Sequence, residues 1–185
     1  MFLKKRRQAI VKQELQAVKD RLWRFCLSRT NGNRADGDDL FQATAVRALE
    51  KAEQFEPGTK FDNWVFTIAV SVWRNELRSR KVRLGAGVED AQESDLASNH
   101  LANQLDGETN IFVSEVLNRV MDLPKGQSVA VLLVYVEGYA YKEAAQIMDV
   151  PIGTVMSRLA AARQTLKAWA DGQEMRPKDA ESNEL

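Results

Sequence analysis

Apolar residues in this chain recur at three- and four-residue steps throughout, and no segment alternates with period two for long enough to read as a strand. That pattern predicts an all-α fold. Ile10, Val11, Leu15, Val18, Leu22 and Phe25 mark a first helix, which Thr30-Asn31-Gly32-Asn33 breaks. Asp36 or Asp38 is expected to cap a second helix that runs through Leu40, Phe41, Ala45, Val46 and Leu49. After a turn at Phe55 to Thr59, a third helix runs from about Asp62 past Arg80, with Phe61, Trp64, Val65, Ile68, Val72 and Leu77 on one face. Ile111, Val113, Val116, Leu117 and Val120 mark a fourth, which ends at Leu123-Pro124. A very apolar helix follows from Gln127 to about Glu137, stopped by Gly138. Tyr141 to Met148 is a short helix, Asp149-Val150-Pro151 a tight turn, and Ile152 to about Trp169 a last helix with Val155, Leu159, Ala162 and Leu166 inward.

Charge divides the chain further. The 26 Lys+Arg balance the 26 Asp+Glu, but the two signs are segregated. Residues 1–24, the run Arg74, Arg78, Arg80, Lys81, Arg83, and the set Arg158, Arg163, Lys167 are basic. Residues 85–110 hold Glu89, Asp90, Glu93, Asp95, Asp106 and Glu108 and no Lys or Arg. The expected organisation is therefore two small helical domains, 1–84 and 111–170, a flexible acidic linker at 85–110, and a polar tail at 171–185. Basic residues on structured segments and acids on connectors point toward a polyanionic partner. The basic run Lys4 to Arg7 reads first as a solvated, frayed end.

Composition also excludes chemistry. One cysteine (Cys26) and one histidine (His100) cannot build a four-ligand structural zinc site of the usual kinds, and no cofactor is expected. Cys26 lies in an apolar helical run, so Cys/His nucleophilic catalysis is not expected either. There is no phosphate-binding glycine loop and no calcium-loop pattern. The longest apolar run, Val129 to Val136, is too short to span a membrane. The expectation is a soluble, cytoplasmic protein that is not an enzyme.

Two constellations remain. Tyr141 to Leu166 fits a helix-turn-helix: Ala144 and Ala145 permit a close crossing, Asp149 occupies the turn, and Val150 fills the angle. An ordinary helical hairpin is the competing reading. The end of the third helix combines Trp64, Phe66 and Trp73 with Arg74, Asn75, Arg78 and Arg80, a mixture suited to phosphates and unstacked bases. Trp64 taken alone reads as core. The acidic run Asp36 to Asp39 reads as capping and dipole complementarity.

The blocks Asp38-Asp39-Leu40-Phe41-Gln42, Phe61 to Ala69 and Asn75-Glu76-Leu77-Arg78 come first along the chain. Leu123 to Gln127, Tyr135 to Ala145 and Val150 to Leu159 follow. In this order and spacing, the sequence resembles the extracytoplasmic-function (ECF) group of the sigma-70 family, the alternative sigma factors of bacterial RNA polymerase. The resemblance implies regions 2 and 4 only. By position, Asp38, Asp39, Leu40 and Gln42 would meet the β′ clamp helices of core RNA polymerase, and region 4 the β flap. Trp64, Ser71, Trp73, Arg74, Asn75, Arg78, Arg80 and Lys81 would melt and hold the −10 element. Thr154, Met156, Ser157, Arg158, Ala160, Ala161 and Arg163 would face the −35 element. Promoter DNA, core polymerase and an anti-sigma factor are the implied partners, and no small-molecule substrate is implied. Such an anti-sigma factor could hold the chain at a membrane.

The sequence departs from the group at Ala43, Ala45 and Ser71, and most clearly in the last helix. Met156 and Ala161 stand there where basic residues are common, which leaves Arg158, Arg163 and Lys167. Reading by shape and by thymine methyl groups, or affinity drawn from the DNA backbone, would then weigh more. A dimeric regulator using the last helix pair and a sigma-factor mimic are the alternatives; the first domain gives the former no use for its polymerase-like surface.

Overall fold

The computed structural model describes residues 2–83 and 107–174, and every regular element among them is helical. Helix α1 runs Phe2–Arg29, α2 Arg34–Glu50 and α3 Phe61–Arg83, with a short 3₁₀ turn at Ala52–Gln54. Helix α4 runs Gly107–Asp122, α5 Lys125–Val131, α6 Tyr141–Met148 and α7 Ile152–Glu174. The α4 helix starts ahead of the Ile111 boundary expected from periodicity. The side chains of Ile111 and Val113 lie outside the described residues, as do most of the acidic connector, His100 and the end of the tail.

The first half is a three-helix unit. Leu22, Phe25, Val65, Phe66 and Ala69 are buried where α1 meets α3, and Leu40, Thr44 and Ala48 turn inward from α2. Two local expectations change. Asn33, not Asp36 or Asp38, caps α2: its side chain accepts from the Asp36 N–H at 3.2 Å. Val46, on the same helix, is 56% exposed. The N-terminal run is helical rather than frayed, because Arg7 donates to the Phe55 carbonyl and Gln8 to that of Leu49 at 3.4 Å. Those bonds tie the start of α1 to the end of α2.

Gly37 lets α2 approach α1. A Cβ there would sit 3.0 Å from the Leu27 Cα and 3.3 Å from the Thr30 hydroxyl. Backbone cannot yield as a side-chain tip can, so strain should exceed the helix-propensity gain. Gly37→Ala is expected to destabilise the first unit by about 1 kcal/mol net, measured by thermal melting.

In the second half, α5 continues into a turn of π-helix at Leu132–Val136, where Glu137 N–H reaches the Leu132 carbonyl at 2.9 Å. Gly138, at φ +76°, stops it. Val129, Leu133, Ile147, Met148, Val155, Leu159 and Ala162 form the core of this half.

Candidate nucleic-acid and polymerase interfaces

The turn between α6 and α7 has the geometry expected of a helix-turn-helix. Asp149 is left-handed at φ +52°, and the Val150 N–H closes on the Ala145 carbonyl at 3.1 Å. Glu143 reaches back to the Ala140 N–H at 3.0 Å, one arm of a capping box whose other arm Ala140 cannot supply. Ala144, fully buried, is where the helices cross. From this base α7 projects Met156, Ser157, Ala160 and Arg163 outward, with Thr154, Arg158 and Ala161 half-buried beside them. Met156 is 52% exposed, and Ile152, which the sequence did not single out, is 48% exposed at the same end. This face is apolar and small, with cations only at its margins. Arg158 folds back toward α5: a Cβ on Gly126 would lie 2.9 Å from its guanidinium.

The basic end of α3 divides in two. Ser71, Asn75, Arg78 and Arg80 are exposed, and Lys81 lies on the same helix. Arg80 pairs with Glu76 at 3.0 Å and with Asp36 at 3.7 Å, which raises its pKa, the Glu76 hydrogen bond contributing most. Arg74 is half-buried and donates to the Met148 carbonyl at the C-terminus of α6. Burial, and then the nearby Arg158, lower its pKa.

Neither tryptophan offers an open face here. Trp73 is buried and donates to the Arg29 carbonyl at 3.2 Å, with the Arg29 guanidinium 5.5 Å above its ring. Trp64 is half-buried in a cluster with Phe55 at 5.2 Å and Phe61 at 5.6 Å. As placed, both are packing residues rather than stacking platforms.

On α2, Asp39 and Gln42 are exposed. Asp38 accepts from the Trp23 indole at 2.6 Å, and Leu40 is buried, so Leu40 holds the helix down instead of meeting a partner. Val46, one turn beyond Gln42, extends the exposed stripe. Its spacing from Gln42, one helical turn, was the available signal.

The two halves meet directly. Arg21 pairs with Glu137 at 2.9 Å and with Asp62 at 3.5 Å, and Lys60 with Glu143 at 2.5 Å. Phe66 and Tyr139 meet edge-on at 5.5 Å, with Arg21 5.8 Å over the Phe66 ring. Arg29, 8% exposed, donates to the Ser128 hydroxyl at 2.9 Å. Burial pushes its pKa down to about 9, opposed by Cys26. The same burial pushes the Cys26 thiol up to about 12. Between pH 9 and 12 an unfolded thiol ionises and the folded one does not, so Cys26 burial disfavours folding increasingly across that window. Native chain at pH 8 is therefore expected to resist a disulfide reagent, and guanidinium-unfolded chain to react fully, as a thiol titration would read.

No helix among the described residues is long and apolar enough to cross a membrane. Residues 15–83 match the sigma-70 region 2 family, and residues 114–166 match sigma-70 region 4. The ECF RNA polymerase sigma factor EcfG of Rhodopseudomonas palustris strain TIE-1 is 34% identical over 89% of this chain and 88% of its own length. An ECF RNA polymerase sigma-E factor of Haemophilus influenzae is 32% identical over 73% of this chain and 75% of its own. Among solved structures, the sigma factor RpoE of Bartonella quintana, in complex with the anti-sigma factor NepR, superposes with a TM-score of 0.68 at 26% identity. That superposition covers 86% of this chain and 96% of that one.

Proposed function

Since the chain belongs to the extracytoplasmic-function sigma factors of the sigma-70 family, we propose how its surfaces divide the work of transcription initiation. It is an alternative sigma factor that binds core RNA polymerase and directs it to promoters, under the control of an anti-sigma factor. The observation that carries the division of labour is the presence of three separate exposed faces, on α2, on the end of α3 and on α7.

On α2, Asp39, Gln42 and Val46 meet the β′ clamp helices, with Asp38 and Leu40 fixing the helix beneath them. The end of α3 holds the −10 element: Arg78, Arg80 and Lys81 neutralise phosphates, and Ser71, Asn75 and Arg74 flank the extruded base. Arg74 needs release from Met148 to do so. The α7 face reads the −35 element, with Ile152 and Met156 against thymine methyls and Arg158 and Arg163 on backbone or guanine. The boundaries of the two units fall at 1–84 and 107–174. The chain acts in the cytoplasm, and the chemistry belongs to the polymerase. Reconstitution with core polymerase on a genomic promoter library tests this: a stable complex with discrete start sites is the expected result, and no complex at low salt would overturn it.

A further inference from the structure

We propose that Gly126, at the start of α5, is the positioning residue for Arg158 of α7, and that Arg158 seated there holds a phosphate of the −35 duplex. The proposal rests on the reading of α7 as a DNA-facing helix, and it narrows the role of Arg158 from backbone or guanine to backbone alone. A Cβ on Gly126 would lie 2.9 Å from Cζ, 2.9 Å from Nε and 3.2 Å from Nη1 of Arg158. Three atoms of one planar group at nearly the same distance mean that the guanidinium lies face-on over the glycine. A side chain at 126 would occupy the space that the plane fills.

Face-on packing fixes the plane and leaves open its edge, where the five N–H donors lie. Among the described residues no hydrogen bond or ion pair engages those donors. The charged group that Arg158 does act on, Arg74, is another cation. Lys125, next to Gly126 in the chain, is exposed and adds positive charge nearby. A fixed fork of uncommitted donors suits an anionic oxygen brought from outside. Its place on the helix says which one. Met156, Ser157 and Ala160 form the outward face, whereas Arg158 is half-buried at the margin and turned to α5. A base-reading arginine projects from the middle of such a face into the groove; one at the margin meets the sugar-phosphate wall.

Gly126 differs from Gly37 in what stands in the way. At Gly37 the obstacle includes the Leu27 backbone, but at Gly126 it is only the far end of a flexible side chain. Alanine at 126 is therefore accommodated by swinging the guanidinium off its seat, and alanine is the better helix former. Gly126→Ala should keep or raise the melting midpoint while it releases Arg158. Weaker DNA binding without weaker folding is the signature of a seat, since a glycine needed only for packing would lose both together.

The test uses the full chain and a fluorescent duplex of about 30 base pairs of mixed sequence, because a phosphate contact requires no particular bases. Anisotropy titrations across a salt series read affinity and slope. Arg158→Ala should lower the slope by about 0.9 and weaken binding on the order of fivefold to tenfold at about 0.1 M salt, as one lost phosphate contact does. Gly126→Ala should reproduce most of that loss. The double variant should bind no more weakly than Arg158→Ala alone. Arg158→Lys, whose ammonium has no plane to stack, should bind equally well with or without Gly126→Ala. Unchanged binding by Arg158→Ala or by Gly126→Ala, additive losses in the double variant, or a loss that persists in the Arg158→Lys background overturns the proposal. Should Gly126→Ala melt lower, the Arg158→Ala background still shows whether its loss runs through the guanidinium. Complex formation with core polymerase, run in parallel, reports on the sigma reading separately: duplex binding that depends on both residues, without that complex, would leave the seat standing and overturn the reading.

Discussion

A chain with Arg78, Arg80 and Lys81 all replaced by alanine is expected to bind core polymerase as the natural chain does and to yield on the order of 100-fold fewer transcripts. Each cation that neutralises a phosphate releases condensed counterions, so losing three should flatten the salt dependence of promoter binding by a slope of about 3. The side chains of Arg78 and Arg80 are exposed, and Arg80 is held in place by Glu76. Arg78 and Arg80 lie outside the core, so the helix should survive. The stripe on α2 proposed to meet the polymerase is a separate surface, which is why core binding should persist. Abortive and run-off assays at two salt concentrations, with a gel-filtration check of the complex, decide the matter. Loss of core binding together with transcripts would mean that α3 contributes to the polymerase interface.

The second large effect is on stability. Phe66 is fully buried, tilted against Phe25 at 5.2 Å and edge-on to Tyr139 at 5.5 Å. Phe66→Ala removes a ring that both halves pack upon, and is expected to cost about 3–5 kcal/mol. A small helical unit has only about 5–15 kcal/mol in all, so the loss is a large fraction of its stability and the unfolded population should rise steeply. Denaturant titration by circular dichroism reads the shift in midpoint. Phe66→Leu, which keeps most of the volume, should cost much less. Equal losses for the two variants would mean that the ring's edge contacts, not its volume, carry the energy.

The elements themselves were legible because their signals are local. Periodicity placed α6 to the residue, and Asp149 in its turn was read as tolerating the left-handed backbone it adopts. Caps were less legible. Asn33 precedes the two candidates Asp36 and Asp38, and only the geometry of the turn decides which side chain faces the free N–H groups. The site residues divide by the same logic. Exposed positions on α2 and α7 follow from helical phase, whereas Leu40 and Trp73 were grouped with sites through their neighbours and proved to be buried. Val46 is the converse case, an apolar residue left outside by the phase of its helix. The joint between the halves was not legible at all. Its partners are more than a hundred residues apart in some cases, as with Arg21 and Glu137, and no periodicity links them.

That joint is built mainly from guanidinium, ammonium, carboxylate, hydroxyl and carbonyl groups, with Phe66 against Tyr139 as its principal apolar contact. Nearly every one of those atoms can exchange its partner for water at small cost. Parting the halves would return these polar groups to water and uncover apolar surface around Phe66 and Tyr139. Added salt should loosen such a joint at its exposed charged pairs and leave the ring contact in place.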